Sequence, residues 1–371
     1  MPKLTNLKIS GWKSIPSMDL GLELGPMNVF IGANGAGKSN IISFFKMLNE
    51  MIGDRLQDFI GRQGGADSLL HFGSKVTDHV EAALTFETET GESSYSMRLA
   101  FAAGDSLIFT EERLEFMRQG RPVPLVKSLG AGHRETKLNQ AARNRNKTAF
   151  VFSKLIGRCR VFHFHDTSAT ARARQTCYLE ANRFLFPDAG NLAALLFLYK
   201  RTNEVVYRRI VSAIRTISPF FHDFVLEPRK LNPETILLKW KGRDSDYEFG
   251  PHQLSDGTIR VIALATLLLQ PTDDLPDVII IDEPELGLHP HAVEIIAGLI
   301  RSVSIHTQVI LATQSSGFVD HFEPEEIVVT EIENGCSRFR RLKEEPLHEW
   351  LEDYSVGQLW EKNVVGGGPV H

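Results

Sequence analysis

The sequence predicts an α/β fold: a mainly parallel core sheet, with an antiparallel β patch and a helical lobe. Three observations carry this prediction. The apolar runs PMNVFIG, DVIIIDEPE and QVILAT read as strands buried on both faces, and they lie toward the two ends of the chain. Residues from about 78 to 109 alternate in twos, as antiparallel strands do. The central stretch NLAALLFLYKRTNEVVYRRIVSAIRTI has its apolar residues at helical spacing.

The elements follow in order. Leu4, Leu7 and Ile9, then Leu20, Leu22 and Leu24, suggest short antiparallel strands broken by a turn around Gly11 and Pro16. PMNVFIG runs into glycine, and Ile41, Phe44, Phe45, Leu48 and Met51 follow at helical spacing, so strand, glycine-rich turn and helix succeed one another. Val80 to Phe86, Tyr95 to Phe101, and Leu107 with Phe109 form a meander, with GES and GDS as turns. Residues 119–147 are polar, basic and weakly patterned, and are expected to be an exposed loop or insertion. RCRVFHFH reads as a strand and TILLKWKGRDSDYEF as a hairpin. The octet QLSDGTIR then leads into the helical run IRVIALATLLL. DVIIIDEPE is a strand, HAVEIIAGLIRSV a helix and QVILAT a strand; EEIVVTEIENGCSRFRRL is a hairpin turning at Asn334-Gly335, and the tail is irregular. There is no internal repeat.

The 371 residues are 42% hydrophobic and 23% charged, enough for one large or two modest globular domains. No apolar run reaches the roughly 18–20 residues that cross a bilayer. MPKLTNLKIS lacks the apolar core of a secretion signal. Cys159, Cys177 and Cys336 show no metal-ligand spacing, and their sparse, odd number suits a reducing interior, so a cytoplasmic protein is expected. The net charge of −5 hides an asymmetry. Residues 121–175 hold twelve Lys or Arg against two acids, +10, and the rest of the chain is −15. Such a window either faces a polyanion or is a solvated basic surface pairing with acidic protein.

Gly32-Ala33-Asn34-Gly35-Ala36-Gly37-Lys38-Ser39 matches G-x-x-x-x-G-K-[ST] between a buried strand and a helix. The glycines let backbone N–H groups turn inward around phosphate oxygens, and the helix N-terminus adds partial positive charge. Lys38 suits the β- and γ-phosphates and Ser39 a Mg²⁺ ligand. Asp282, at the end of VIIID, suits the same Mg²⁺, and Glu283 can orient or deprotonate an attacking water. Read alone, QLSDGTIR (Gln253 to Arg260) is either a helix cap, with Asp256 the N-cap, or part of a site completed by another molecule.

Taken together, FIGANGAGKSN, LSDGT, IIIDEPELGLHP and ATQSS, in that order, resemble the ABC-type ATPases of the RecF and structural-maintenance-of-chromosomes branch, a P-loop NTPase head found in DNA repair and anti-phage defence. The resemblance implies ATP and Mg²⁺ as cofactors. ATP would lie on Asn34, Gly35, Ala36, Gly37, Lys38, Ser39 and Asn40. Ser255 and Gly257 would form a signature that closes over a nucleotide held by a second subunit. Ser39 and Asp282 would hold the metal, and Glu283, Lys38 and Gln314 would be catalytic. The match has departures. Asp256 and Thr258 replace a glycine and a glutamine of the signature, and Gln314 stands where a switch histidine is usual, so it can hydrogen-bond but not take up a proton. FHFHDTS, with His165 and Asp166, stands where the family has a Q-loop glutamine. His289 falls in a segment resembling the D-loop, or is a helix-entry residue beside Pro290.

LTNLKISGWKSI followed by LGLELGPMNVFIGANGAGKSN resembles RecF-type heads, without the heptads of coiled-coil arms. About 57 residues follow Gln314, too few for a fused nuclease domain. The expected organisation is a first lobe part over 1–165, with the basic insertion at about 119–160, a helical lobe with the signature over 166–269, and a second lobe part over 270–371. Expected partners are a second copy in an ATP-sandwiched dimer or higher oligomer, a separately encoded nuclease or effector, and DNA or RNA, with no membrane insertion. Arg143, Arg145, Lys147, Lys154, Arg158, Arg160, Arg172 and Arg174 are the candidate phosphate contacts. A scaffold with negligible turnover and a nucleotide-binding subunit of a membrane transporter are the alternatives.

Overall fold

The computed structural model describes residues 2–18, 24–121, 123–244 and 246–368. Leu20 and Leu22 lie outside the described residues, so the strand expected there is not described. The chain divides into two compact units, one of Met1–Val161, Pro276–Ile280 and Thr307–His371, the other of Phe162–Leu275 and Ile281–His306.

The first unit opens on β1 (Lys3–Trp12) and β2 (Ile15–Met18). The hairpin turns at Lys13-Ser14, between Gly11 and Pro16 as expected, with Lys13 in the left-handed conformation (φ 48°). The buried strand β3 (Met27–Ile31) feeds α1 (Lys38–Ile52), which buries Ile41, Phe44, Phe45, Leu48 and Met51, and the short α2 (Leu56–Arg62) follows. The meander is β4 (His79–Thr88), β5 (Gly91–Ala102) and β6 (Ser106–Arg118), in a sheet ordered β2-β1-β4-β5-β6-β7, where β7 is Leu125–Ser128. Strand alternation places Leu4, Leu7, Val80, Leu84, Phe86, Tyr95 and Leu99 in a core shared with α1.

Residues 119–147 depart from the loop expected of them. They contain β7 and α3 (Leu138–Arg143), before α4 (Lys147–Gly157) and β8 (Cys159–Phe162). A buried carboxylate is one of the groups that order them. Glu112 accepts from Tyr95 Oη (2.9 Å), His133 Nε2 (2.8 Å), Thr136 Oγ1 and the Lys137 N–H (3.1 Å), so the basic segment is tied to the sheet at three successive points. Four donors satisfy a carboxylate that burial would otherwise penalise.

The second unit contains β9 (Cys177–Tyr178), helices α5 (Leu192–Thr202) and α6 (Glu204–Ile217), and the short strands β10 (Phe221–Val225), β11 (Pro228–Arg229), β12 (Asn232–Ile236), β13 (Lys239–Gly242) and β14 (Glu248–Phe249). The expected hairpin is β13 with β14; β12 pairs instead with β11 and β9. After it comes α7 (Asp256–Leu268). His163–His165, expected to continue β8, are irregular.

The chain returns to the first unit in β15 (Val278–Asp282), of which Val278–Ile280 belong there. Helix α8 (Pro290–Ser304) packs on α6 and α7, so Ile281–His306 groups with the helical unit and not with the C-terminal part. Then come β16 (Gln308–Thr313), α9 (Ser316–Val319), the hairpin β17 (Ile327–Glu333) and β18 (Cys336–Arg341), and in the tail the short helices α10 (His348–Leu351) and α11 (Val356–Glu361). The first unit's second sheet runs β18-β17-β3-β16-β15-β8, parallel at β17–β3 and β3–β16, with β18 antiparallel at the edge. The hairpin turns where Asn334 and Gly335 have φ of 51° and 77°, the pair of positive values that an Asn-Gly turn supplies. Among the described residues no helix is long and apolar enough to cross a membrane.

Candidate functional site

In the first unit the loop Gly32–Lys38 leaves β3 and enters α1. Gly37 is the N-cap of α1 with φ of 108°, and a Cβ there would overlap Ser337 Oγ, so both conformation and space require glycine. The loop is braced from outside. Ser337 Oγ donates to the Ala36 carbonyl (2.7 Å) and lies 2.6 Å from Ser14 Oγ, which accepts from Asn40 Nδ2 (2.6 Å). Asn40 thus holds the loop through its side chain, while its N–H donates to the Gly37 carbonyl (3.0 Å). Lys38 is buried, and its Nζ donates to the carbonyls of Gly32 (2.6 Å) and Ala33 (3.0 Å). Ser39, Asn34 and Gly35 are exposed. Asn34 and Gln314 are brought together in an open cleft of about 820 Å³, with Ala33, Ser315, Thr330 and Gly367 in its walls. A glycine-lined backbone turn with a helix N-terminus, a buried lysine and an exposed serine fits a nucleotide's phosphates and their Mg²⁺.

In the second unit three segments meet at one arginine. Arg260 of α7 donates from Nε to the Phe164 carbonyl (3.1 Å), from Nη2 to the His165 carbonyl (3.0 Å) and from Nη1 to the Leu286 carbonyl (2.8 Å). Gly257 lies so close beneath the Leu286–Gly287 turn that a Cβ would sit 2.9 Å from the Gly287 carbonyl. Helix α7, the FHFH segment and the turn after Asp282-Glu283 are therefore joined through backbone oxygens. Glu283 itself has φ of 43°, a left-handed conformation that costs a non-glycine residue roughly 1–2 kcal/mol.

Ser255, not Asp256, is the N-cap of α7: its Oγ accepts from the Thr258 N–H (3.1 Å). Asp256 is the first helical residue, where a negative charge suits the helix dipole, and its Oδ1 accepts from Arg174 Nη2 at 2.9 Å. Arg174 also donates to the Leu254 carbonyl (3.0 Å) and the Pro251 carbonyl. With 4% of its surface exposed, Arg174 is committed inside its unit and presents no charge to a nucleic acid. Arg158 pairs with Asp277 (2.7 Å). Burial, and then Arg158 beside it, hold Arg160 below the usual guanidinium range. Arg143, Arg145, Lys147 and Lys154 of the first unit, and Arg172 of the second, are exposed.

His289 caps α8, its Nδ1 accepting from the His291 N–H (3.3 Å). Asp166 closes a local turn onto Ser168, whose hydroxyl and N–H hold the carboxyl below the usual carboxylate range. His165 Nε2 donates to the Asp282 carbonyl (2.9 Å). Sequence reasoning missed Arg260, although it lies in the quoted octet, and His163. The available signal for His163 was the spacing of two between His163 and His165.

The braced P-loop, the acidic pair at the end of β15 and the serine-capped α7 are the motifs from which the sequence predicts an ABC-type ATPase head. The chain belongs to the family described as "AAA domain, putative AbiEii toxin, Type IV TA system", which matches residues 27–320. Its fold is that of Smc heads. The Smc head bound to the C-winged helix domain of ScpA superposes with a TM-score of 0.62 at 17% identity, covering 93% of this chain and 99% of that one. The Smc head with an extended coiled coil, bound to the C-terminal domain of ScpA from Pyrococcus furiosus, gives 0.60 at 17% identity, covering 95% and 99%. A "Putative ABC transporter ATP-binding protein" of Geobacter sulfurreducens (strain ATCC 51573 / DSM 12127 / PCA) is 28% identical over an alignment of 157 residues that covers 38% of this chain. The chain spans 61% of the length of that relative.

Proposed function

We propose that the chain is an ATP-binding and ATP-hydrolysing head that pairs head-to-tail with a second copy around ATP, and so clamps or switches a nucleic acid or a separately encoded effector such as a nuclease. Backbone N–H groups of Gly35 to Ser39 take the phosphates, and Lys38 turns from its loop carbonyls to them. Ser39 and Asp282 hold Mg²⁺, which when bound neutralises charge developing on the phosphates. Glu283 orients the attacking water, and Gln314 hydrogen-bonds the γ-phosphate. Ser255 and Gly257 serve the nucleotide of the partner copy.

The observation that carries this reading is the presentation of Ser255: exposed, at the positive end of α7, on a turn that Arg174 fixes from beneath. An outward-facing signature in a chain that also carries a P-loop makes sense when copies exchange halves of a site. Glu283→Gln provides the test, because it leaves binding intact and stops turnover. Sizing with light scattering should find a dimer of that variant in ATP and a monomer without it; a monomer in both conditions overturns the sandwich. The Geobacter relative's name favours a second reading, the nucleotide-binding subunit of a transporter. A scaffold in which ATP only sets assembly is distinguished by turnover, which would then be negligible with or without DNA.

A further inference from the structure

His163, His165 and Asp282 each place a ligand atom within 4.8 Å of the others, all inside the second unit. His163 Nδ1 is 4.0 Å from Asp282 Oδ2, and the two imidazole rings lie 4.1 Å apart, centroid to centroid. The tautomer of His165 is fixed by its neighbour. Its Nε2 faces the Asp282 carbonyl at 2.9 Å, and a carbonyl only accepts, so Nε2 carries the hydrogen and Nδ1 keeps its lone pair. Metal-binding imidazoles are set up this way, with the other ring nitrogen donating to a carbonyl that orients the ring and raises its basicity.

The backbone around the pair is immobilised too. Arg260 holds the carbonyls of Phe164 and His165, and the His163 N–H donates to the Pro187 carbonyl (2.9 Å). Two atoms bound to one ion at about 2.0–2.2 Å lie at most about 4.3 Å apart. The 4.8 Å that bounds the cluster exceeds that span only slightly. Magnesium takes oxygen ligands, whereas imidazole beside carboxylate suits the borderline first-row ions.

We propose that His163, His165 and Asp282 form a three-ligand site for a borderline divalent transition ion of the manganese, cobalt and zinc class, with its remaining positions open. This deepens the proposed function by changing the ion that Asp282 would hold, and it rests on that reading for the catalytic use of Asp282, but ion binding itself needs no nucleotide.

Cobalt is the probe. The untagged full chain, free of nucleotide, is titrated with Co²⁺ and followed by its visible ligand-field absorption and by calorimetry. One ion per chain is expected, with affinity reduced roughly 10–100-fold in each of His163→Ala, His165→Ala and Asp282→Asn. Melting in chelator shows whether each variant is folded, and His163→Gln and His165→Gln replace any that is not. Lys38→Ala, which removes nucleotide binding, keeps the cobalt spectrum. Absence of a ligand-field band in the wild type, or equal affinity in the His163→Ala/His165→Ala double variant, overturns the proposal. If cobalt binds and ATP does not, the ATPase reading fails while this one stands; the converse result sinks this one alone.

Discussion

The guanidinium of Arg174 reaches 82 positions along the chain to Asp256, Nη2 to Oδ1 at 2.9 Å, and holds the turn that presents Ser255, the N-cap of α7. The two ends differ in exposure, with side-chain values of 4% at Arg174 and 66% at Asp256. The ion pair is therefore partly screened, and the main contribution of Arg174 is to the carbonyls of Thr167, Pro251 and Leu254.

Arg174→Ala should accordingly cost about 2–4 kcal/mol, since it leaves buried carbonyls without donors, while Asp256→Asn should cost about 1 kcal/mol or less. Urea denaturation measures both. On the proposed function Arg174→Ala should also weaken ATP-dependent pairing tenfold or more with nucleotide binding intact. Equal effects of the two substitutions would mean that the carbonyl contacts contribute nothing.

Glu283 combines strain with a catalytic assignment. Glu283→Gly removes the Cβ that disfavours a φ of 43° and should stabilise the fold by about 0.5–1 kcal/mol. Glu283→Gln should leave stability unchanged within about 0.5 kcal/mol. Both should lower ATP turnover by at least 100-fold. A destabilised Glu283→Gly would show that the side chain's contacts outweigh the backbone strain.

Gly37→Ala should abolish ATP binding and lower the melting midpoint, because its Cβ meets Ser337 and its φ of 108° is unfavourable. Adding Ser337→Gly removes the clash but not the conformational penalty. Part of the stability, and not all of the affinity, should therefore return in the double variant. Full rescue would assign the whole requirement to space.

Charge reversal separates the basic residues. Arg143→Glu, Arg145→Glu and Lys147→Glu together should abolish salt-sensitive DNA binding in mobility-shift titrations and leave ATP binding untouched. Arg158 and Arg174 are excluded from this set because Asp277 and Asp256 already engage them. Unchanged DNA affinity in the triple variant would remove nucleic acid from the proposed partners.

The fold was legible where its cause is local. The alternation of Val80 to Phe86, the helical spacing of Ile41 to Met51 and the Asn334-Gly335 turn each follow from a few adjacent residues, and the structure places them as expected. The glycine spacing of the P-loop is of the same kind. Residues 119–147 were not legible as structure. All four residues of β7 are exposed, and the segment is ordered by partners outside it, Glu112 of β6 and the N–H groups of Leu56 and Gln57 that reach Glu135. Arg174 was read as surface charge for a related reason: most of its partners are far along the chain, and three of them, at Thr167, Pro251 and Leu254, are carbonyls that every sequence possesses. Asp256, taken as a cap, had its function hidden in the same partnership.

Arg260 grips only main-chain oxygens, at Phe164, His165 and Leu286. The joint is therefore indifferent to which side chains those positions carry. A lineage can exchange the imidazoles of the FHFH segment for other ligands, or none, without loosening the frame that aligns it with the signature helix. Chemistry at this corner is free to drift while the mechanics are inherited unchanged.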